Sequence, residues 1–111
     1  DDPRSIHLSF MQDQEIVGVV SLLPEPHLDF PEYPWRLRGM AVQAELQGQG
    51  IGQQLMQGLR DRVSTDGIWC TARKNIHSFY LQNGFKIVGD EFTMNDMPHV
   101  TMFTPSRTAG A

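Results

Sequence analysis

Residues 47–52, Gln-Gly-Gln-Gly-Ile-Gly, place three glycines at alternate positions immediately before an amphipathic run. A glycine-rich turn feeding a helix start is a device for holding phosphate. The first turn of a helix leaves its N–H groups without partners, and the helix dipole places partial positive charge there. Glycines let the backbone approach an anion because no Cβ intervenes. The turn has no Lys-Ser/Thr after its last glycine, so it is not a nucleotide P-loop. Its spacing, Gly48-x-Gly50-x-Gly52 followed by Gln53, also misses the dinucleotide fingerprint. On the turn alone, a flexible surface connection before a helix is an equal reading.

Other reactive side chains are scattered. Tyr80 falls on the i, i+3, i+4 face of a short apolar helix with Ile76 and Phe79, a pattern that by itself describes a core aromatic. His7, His27 and His77 show no ligand spacing with one another, so no metal is expected. Cys70 lies in an apolar strand and is expected to be buried and inert.

The elements that must position these groups follow from hydrophobic period. Ile6, Leu8 and Phe10 alternate with polar residues, the polar turn Gln12–Glu15 follows, and Ile16–Leu23 is a nearly continuous apolar run. Together they predict an antiparallel hairpin whose second strand is covered on both faces. Residues 24–34 hold four prolines and no period, which predicts a loop. In the next strand Trp35, Leu37 and Gly39 share one parity while Met40 and Val42 share the other. A slip at Gly39-Met40 is what a β-bulge produces. Ile51, Leu55, Met56, Leu59 and Val63 then mark one face of a helix ended by Asp66-Gly67. Gly58, in the middle of that helix, costs about 1 kcal/mol in propensity and implies close packing. A strand over Ile68–Ala72, a helix over Ile76–Asn83, and strands over Phe85–Val88 and Val100–Phe103 complete the pattern, the last two joined by a loop around Met94–Pro98. The order implies a mixed sheet with flanking helices.

The chain has 111 residues, 40% hydrophobic and 20% charged, which predicts one domain over residues 1–104 and a frayed tail over 105–111. A net charge of −4 argues against non-specific nucleic-acid binding. No apolar stretch reaches membrane-spanning length, and the start, Asp1-Asp2-Pro3-Arg4, is unlike a signal peptide. With a single cysteine, the expected setting is reducing and cytoplasmic.

Three segments together resemble the GCN5-related N-acetyltransferases, the GNAT superfamily: Leu37-Arg38-Gly39-Met40-Ala41-Val42, the turn from Gln47 to Gly52, and Ala72-Arg73 with Phe79-Tyr80-Leu81-Gln82-Asn83-Gly84-Phe85. The turn matches the family's pyrophosphate loop at Gln47, Gly50 and Gly52, and Phe79-Tyr80 with Gly84-Phe85 matches its second signature. The run Gly89-Asp90-Glu91-Phe92, with Met97-Pro98-His99 and Met102, looks like a small bacterial branch. The resemblance implies an α+β fold, a mixed β-sheet with flanking helices. It also implies a strand and two helices ahead of the hairpin, which this sequence lacks.

The activity implied is transfer of an acetyl group from acetyl-CoA to a primary amine, small-molecule or peptide, by direct attack, with no metal. The bulged strand would splay from its neighbour, and pantetheine would pair with backbone around Met40, Ala41 and Val42. The pyrophosphate would rest on Gln47, Gly48, Gln49, Gly50, Ile51, Gly52 and Gln53. Tyr80 would donate a proton to the departing thiolate, and the Val42 N–H would polarise the thioester carbonyl. Arg73 stands where many members carry a cofactor-binding Asn; it would meet a CoA phosphate or a sheet-edge carboxylate, with Asn75 partly substituting. The base is not readable among Glu32, Glu45, Glu91 and His99, and His99 is the preferred residue for lining the acceptor side. The missing elements leave three readings open: a fragment, a minimal variant, or a subunit completed by a partner. An uncovered apolar sheet face would favour a homodimer. The alternatives to an enzyme are a non-catalytic acyl-CoA-binding module and a structural or interaction domain that CoA does not stabilise.

Overall fold

The structure, a computed structural model, describes residues 2–63 and 66–104; the expected tail over 105–111 lies outside them. Strands β1 (Ile6–Gln12) and β2 (Glu15–Leu23) form the expected hairpin. Asp13 and Gln14 close it at φ 53° and 67°, the left-handed pair that matches strand twist in a two-residue turn. β3 (Trp35–Val42) pairs antiparallel with β2. Helix α1 (Ile51–Val63) leads to β4 (Ile68–Arg73), and helix α2 (His77–Gln82) precedes β5 (Lys86–Met94) and β6 (Met97–Thr104). The sheet order is β1-β2-β3-β4-β6-β5, with β3 and β4 the one parallel pair. No described helix is long and apolar enough to cross a membrane.

Two junctions set the shape. The first is the bulge in β3: Ser21 pairs with Arg38 and Val19 with Ala41, so Gly39 and Met40 stand opposite Val20 alone. Gly39 takes φ +67°, the conformation expected of the glycine in such a bulge. The phase slip read from the sequence is this bulge. The second junction is the fork. β3 and β4 pair only at Trp35↔Ile68 and Arg36↔Trp69, after which the strands part.

α1 buries Ile51, Leu55, Met56, Leu59 and Val63 as its period predicts, against Val17, Val20, Leu22 and Leu37. Two glycines bring it close to the hairpin. A Cβ on Gly18 would stand 3.0 Å from Ile51 Cγ2 and 3.2 Å from Leu55 Cδ1, and one on Gly58 would stand 3.0 Å from Leu8 Cδ1. The mid-helix glycine is thus a packing residue, as its propensity cost implied.

The structure corrects the sequence reading in two places and adds detail in a third. β2 is not covered on both faces: Ile16 is 56% and Val19 39% exposed, because α1 and α2 pack on the opposite face. The expected loop at Met94–Pro98 is only the turn Asn95-Asp96, at φ 53° and 60°, so β5 and β6 run several residues longer than their apolar cores. The loop expected over residues 24–34 is present, and it packs onto the sheet. His27, Phe30 and Tyr33 pack edge-on or stacked against Trp69 and Phe103, and Trp69 Nε1 donates to the Glu25 carbonyl at 2.8 Å. Arg36 completes this layer, 4.8 Å above the Trp69 ring and paired with Glu25 at 2.7 Å.

Gly18→Val tests the close approach of α1. Three added carbons where contacts are already 3.0 and 3.2 Å are expected to destabilise the fold by about 1–3 kcal/mol. Chemical denaturation should show a lowered midpoint with an unchanged slope.

Candidate functional site

The fork makes a cleft. Beyond Arg36, β3 has no β4 partner, and residues 40–42 of this unpaired stretch line a cavity of about 420 Å³. Met40, Ala41 and Val42 form one wall, Leu46, Gln47, Gly48, Ile51 and Gly52 the second, and Phe79 and Tyr80 the third. Three segments far apart in sequence therefore converge on one space.

The turn before α1 is built to present its amides. Ala44–Leu46 make a single 3-10 turn, and the Gln47 side chain donates to the Val42 carbonyl at 3.1 Å, tying the turn to the end of β3. Gly48 and Gly50 take φ +84° and +85°, which a side chain would strain. The Gln54 amide closes the first helical bond on the Gly50 carbonyl at 3.1 Å. The amides of Gly48 and of residues 50–53 have no backbone partner among the described residues, and no acidic side chain occupies the first turn of α1. An anion placed there meets several oriented donors and the positive end of a 13-residue helix.

Gly52 has a second reason to be glycine. A Cβ there would stand 2.9 Å from the edge of the Phe79 ring, so α2 lies directly against the first turn of α1. From the sequence alone, the space left by this glycine suits a ligand. It belongs in part to Phe79.

Tyr80 is 7% exposed, in contact with Phe79 and Phe85, and its hydroxyl bonds to no described side chain or backbone group. No buried side-chain oxygen or nitrogen lacks a partner among the described residues, so that hydroxyl is wetted through the cavity it lines. Burial, and secondarily the neighbouring Cys70, raise the Tyr80 phenol above its ordinary value of 10. Burial likewise pushes the Cys70 thiol up to about 12 against a small opposing effect of Arg36, which agrees with an inert cysteine.

Of the residues singled out from sequence, Met40, Ala41, Val42, Gln47, Gly48, Ile51, Gly52 and Tyr80 line the cavity. Gln49 and Gly50, in the same turn, and Gln53, in the first turn of α1, do not line it. Arg73 and Asn75 do not line it. Cys70 and Ala72 are buried in the helix-side core, so Arg73, one residue on, has the parity of the opposite face, where it pairs with His99. His99 is 5% exposed; its Nδ1 lies 2.9 Å from the Met97 carbonyl and its ring stacks on Phe92. Glu91 pairs with Lys74 at 2.7 Å. Leu46 and Phe79 were missed as lining residues, although an apolar residue just ahead of the glycine turn was a usable signal for Leu46. Among the described residues no group of His, Cys, Asp or Glu is arranged to hold a metal ion.

Comparison with known proteins agrees with this geometry. A family model described as "Acetyltransferase (GNAT) domain" matches residues 1–104. The uncharacterized N-acetyltransferase YitI of Bacillus subtilis is 28% identical over 113 residues, covering 95% of this chain and 74% of that protein. The aminoalkylphosphonate N-acetyltransferase of Salmonella typhimurium is 28% identical over 98 residues, covering 83% and 64%. A crystal structure of aminoglycoside 6′-N-acetyltransferase complexed with coenzyme A superposes with a TM-score of 0.76 at 18% identity, over 92% of this chain and 73% of that one, a likeness of fold. The family match spans every described strand and both helices, and the chain belongs to the GNAT acetyltransferase family.

Proposed function

We propose that this domain transfers an acetyl group from acetyl-CoA to a primary amine by direct attack within a ternary complex. The observation that carries the reading is the convergence of the free amides at the start of α1, the unpaired flank of β3 and the Tyr80 hydroxyl on one apolar cleft. The coenzyme's diphosphate rests on the amides, and its pantetheine arm completes the backbone pairing that β4 abandons. The thioester then lies between Val42 and Tyr80.

In the reaction the amine lone pair attacks the thioester carbonyl carbon, and a β3 amide near Val42 stabilises the oxyanion. The C–S bond breaks, the sulfur leaves as thiolate, and the amine's surplus proton passes to water. Tyr80 faces that sulfur. A phenol held above 10 is a weaker acid than a thiol near 8.5 by more than about 1.5 units, so complete proton transfer to sulfur is uphill by about 2 kcal/mol. Tyr80 therefore acts as a hydrogen-bond donor to the developing thiolate, a contact worth about 1.5–3 kcal/mol.

The acceptor is not fixed by likeness. The names of two relatives specify an aminoalkylphosphonate and an aminoglycoside, ligands of opposite charge. A second reading, an acyl-CoA-binding module without turnover, is favoured by the bare sheet face at Ile16 and Val19, where self-association would also act.

Three measurements test these readings. Coenzyme A at 100 times its dissociation constant is expected to stabilise the domain by about 2.7 kcal/mol in a thermal-shift titration, and no shift would favour a structural role. Tyr80→Phe is expected to lower kcat about 10- to 100-fold with little change in the acetyl-CoA KM, and an unchanged kcat would remove Tyr80 from the chemistry. Turnover is expected to rise with pH as the amine loses its proton, then to hold a plateau to about pH 10, because burial keeps Tyr80 protonated past the usual phenol range. An alkaline fall below that pH, absent from Tyr80→Phe, would contradict the assignment.

A further inference from the structure

The sheet face turned away from α1 and α2 carries positive charge that the described chain does not neutralise. Leu37, Ile68, Cys70 and Ala72 are buried toward the helices, so the alternate positions Arg36 and Arg38 on β3, and Trp69, Thr71 and Arg73 on β4, stand on the other face. Arg36 is satisfied by Glu25 and Trp69. The Arg38 and Arg73 side chains are exposed, and neither guanidinium forms an ion pair with a described residue. They occupy the two lips of the fork. Counted from the Arg36↔Trp69 pair, Arg38 is two residues along β3 and Arg73 four along β4, so they differ by about 7 Å along the strand axis.

The strands that carry these arginines and their immediate neighbours hold little opposing charge. β1, β3, β4 and β6 contain no aspartate or glutamate, β2 has only Glu15 at its first residue, β5 carries Asp90 and Glu91, and Glu45 follows the end of β3. Glu25 and Glu91 are committed to Arg36 and Lys74. Asp29 and Glu32 belong to the segment packed at the Trp69 end, away from the open end of the fork. This basic strip lies on a protein of net charge −4, so the whole-molecule field does not account for attraction of anions here.

The helix face of the cleft is occupied by α1, α2 and, in the acyl-transfer reading, by the coenzyme. In that reading the side left for an amine is the opposite face, where Arg38 and Arg73 flank the fork. We infer that the acceptor carries an anionic group, carboxylate or phosphonate, several ångströms from its amine, and that Arg38 and Arg73 hold that group; this rests on the acyl-transfer reading above. Arg73, expected from sequence at the coenzyme, is reassigned to the acceptor. A planar guanidinium binds either anion through paired N–H donors.

A matched set of acceptors tests this with saturating acetyl-CoA: β-alanine and 2-aminoethylphosphonate, their neutral counterpart β-alaninamide, and the cationic 1,3-diaminopropane. The two anionic amines are expected to exceed the others in kcat/KM by about tenfold or more, with the phosphonate-to-carboxylate ratio naming the preferred anion. In Arg38→Gln and Arg73→Gln the anionic-to-neutral ratio should fall toward one, through KM more than kcat, and added salt should lower it in the wild type. Equal or better use of the neutral or cationic amine, an anionic preference that survives in the double variant, or no transfer to either anionic amine while coenzyme A still stabilises the protein would each overturn the inference. Absence of stabilisation by coenzyme A would instead strike the acyl-transfer reading itself.

Discussion

Parallel strands that pair for two residues and then separate leave a row of main-chain donors and acceptors with nothing opposite them. In an ordinary sheet interior such groups cost free energy comparable to lost hydrogen bonds. Here the row lines a cleft, and this fold depends on keeping it open. The bulge at Gly39-Met40 turns β3 aside while letting Met40 and Val42 keep their apolar side chains toward the helices. Without the extra residue, the alternation that buries Leu37 would carry Met40 and Val42 to the other face.

The fork also needs a rigid frame. β4 is held by six pairs to β6 on its far side, so it does not follow β3 when β3 bends away. On the near side, β3 remains zipped to β2 up to Val42, and the Gln43 amide extends that pairing to the Val17 carbonyl at 2.9 Å. At the closed end, the aromatic layer formed by residues 24–34 with Trp69 and Phe103 covers both strands where they still pair. α1 then lies close against the hairpin because Gly18 and Gly58 omit side chains at the contacts. Its N-terminus is thereby aimed at the open end.

Much of this was legible in the sequence because it rests on local period. A parity change in an alternating strand has one simple structural cause, and the structure has it at the residues where the change occurs. The buried stripe of α1 and the glycine turn ahead of it were equally local. What was not legible depends on long-range company. Nothing in residues 24–34 announces that His27 and Tyr33 will meet Phe103, some seventy positions away. The apolar run in β2 looked covered on both faces because composition reports what a strand tolerates, not what packs on it. Arg73 is a different case: parity counted from Cys70 and Ala72 sets it on the face away from the helices, whereas the family resemblance implied a CoA phosphate or a sheet-edge carboxylate.

The seat of the Phe79 ring beside Gly52 joins two motifs that alignment treats as separate words. The loop that would receive a diphosphate and the helix that bears the phenol share a single van der Waals boundary. Natural drift at either position is therefore yoked: a lineage acquiring alanine at 52 must shrink or swivel residue 79, and with it the adjoining Tyr80. Paired changes at these sites, sought across a broad set of descendants, should appear together more often than singly.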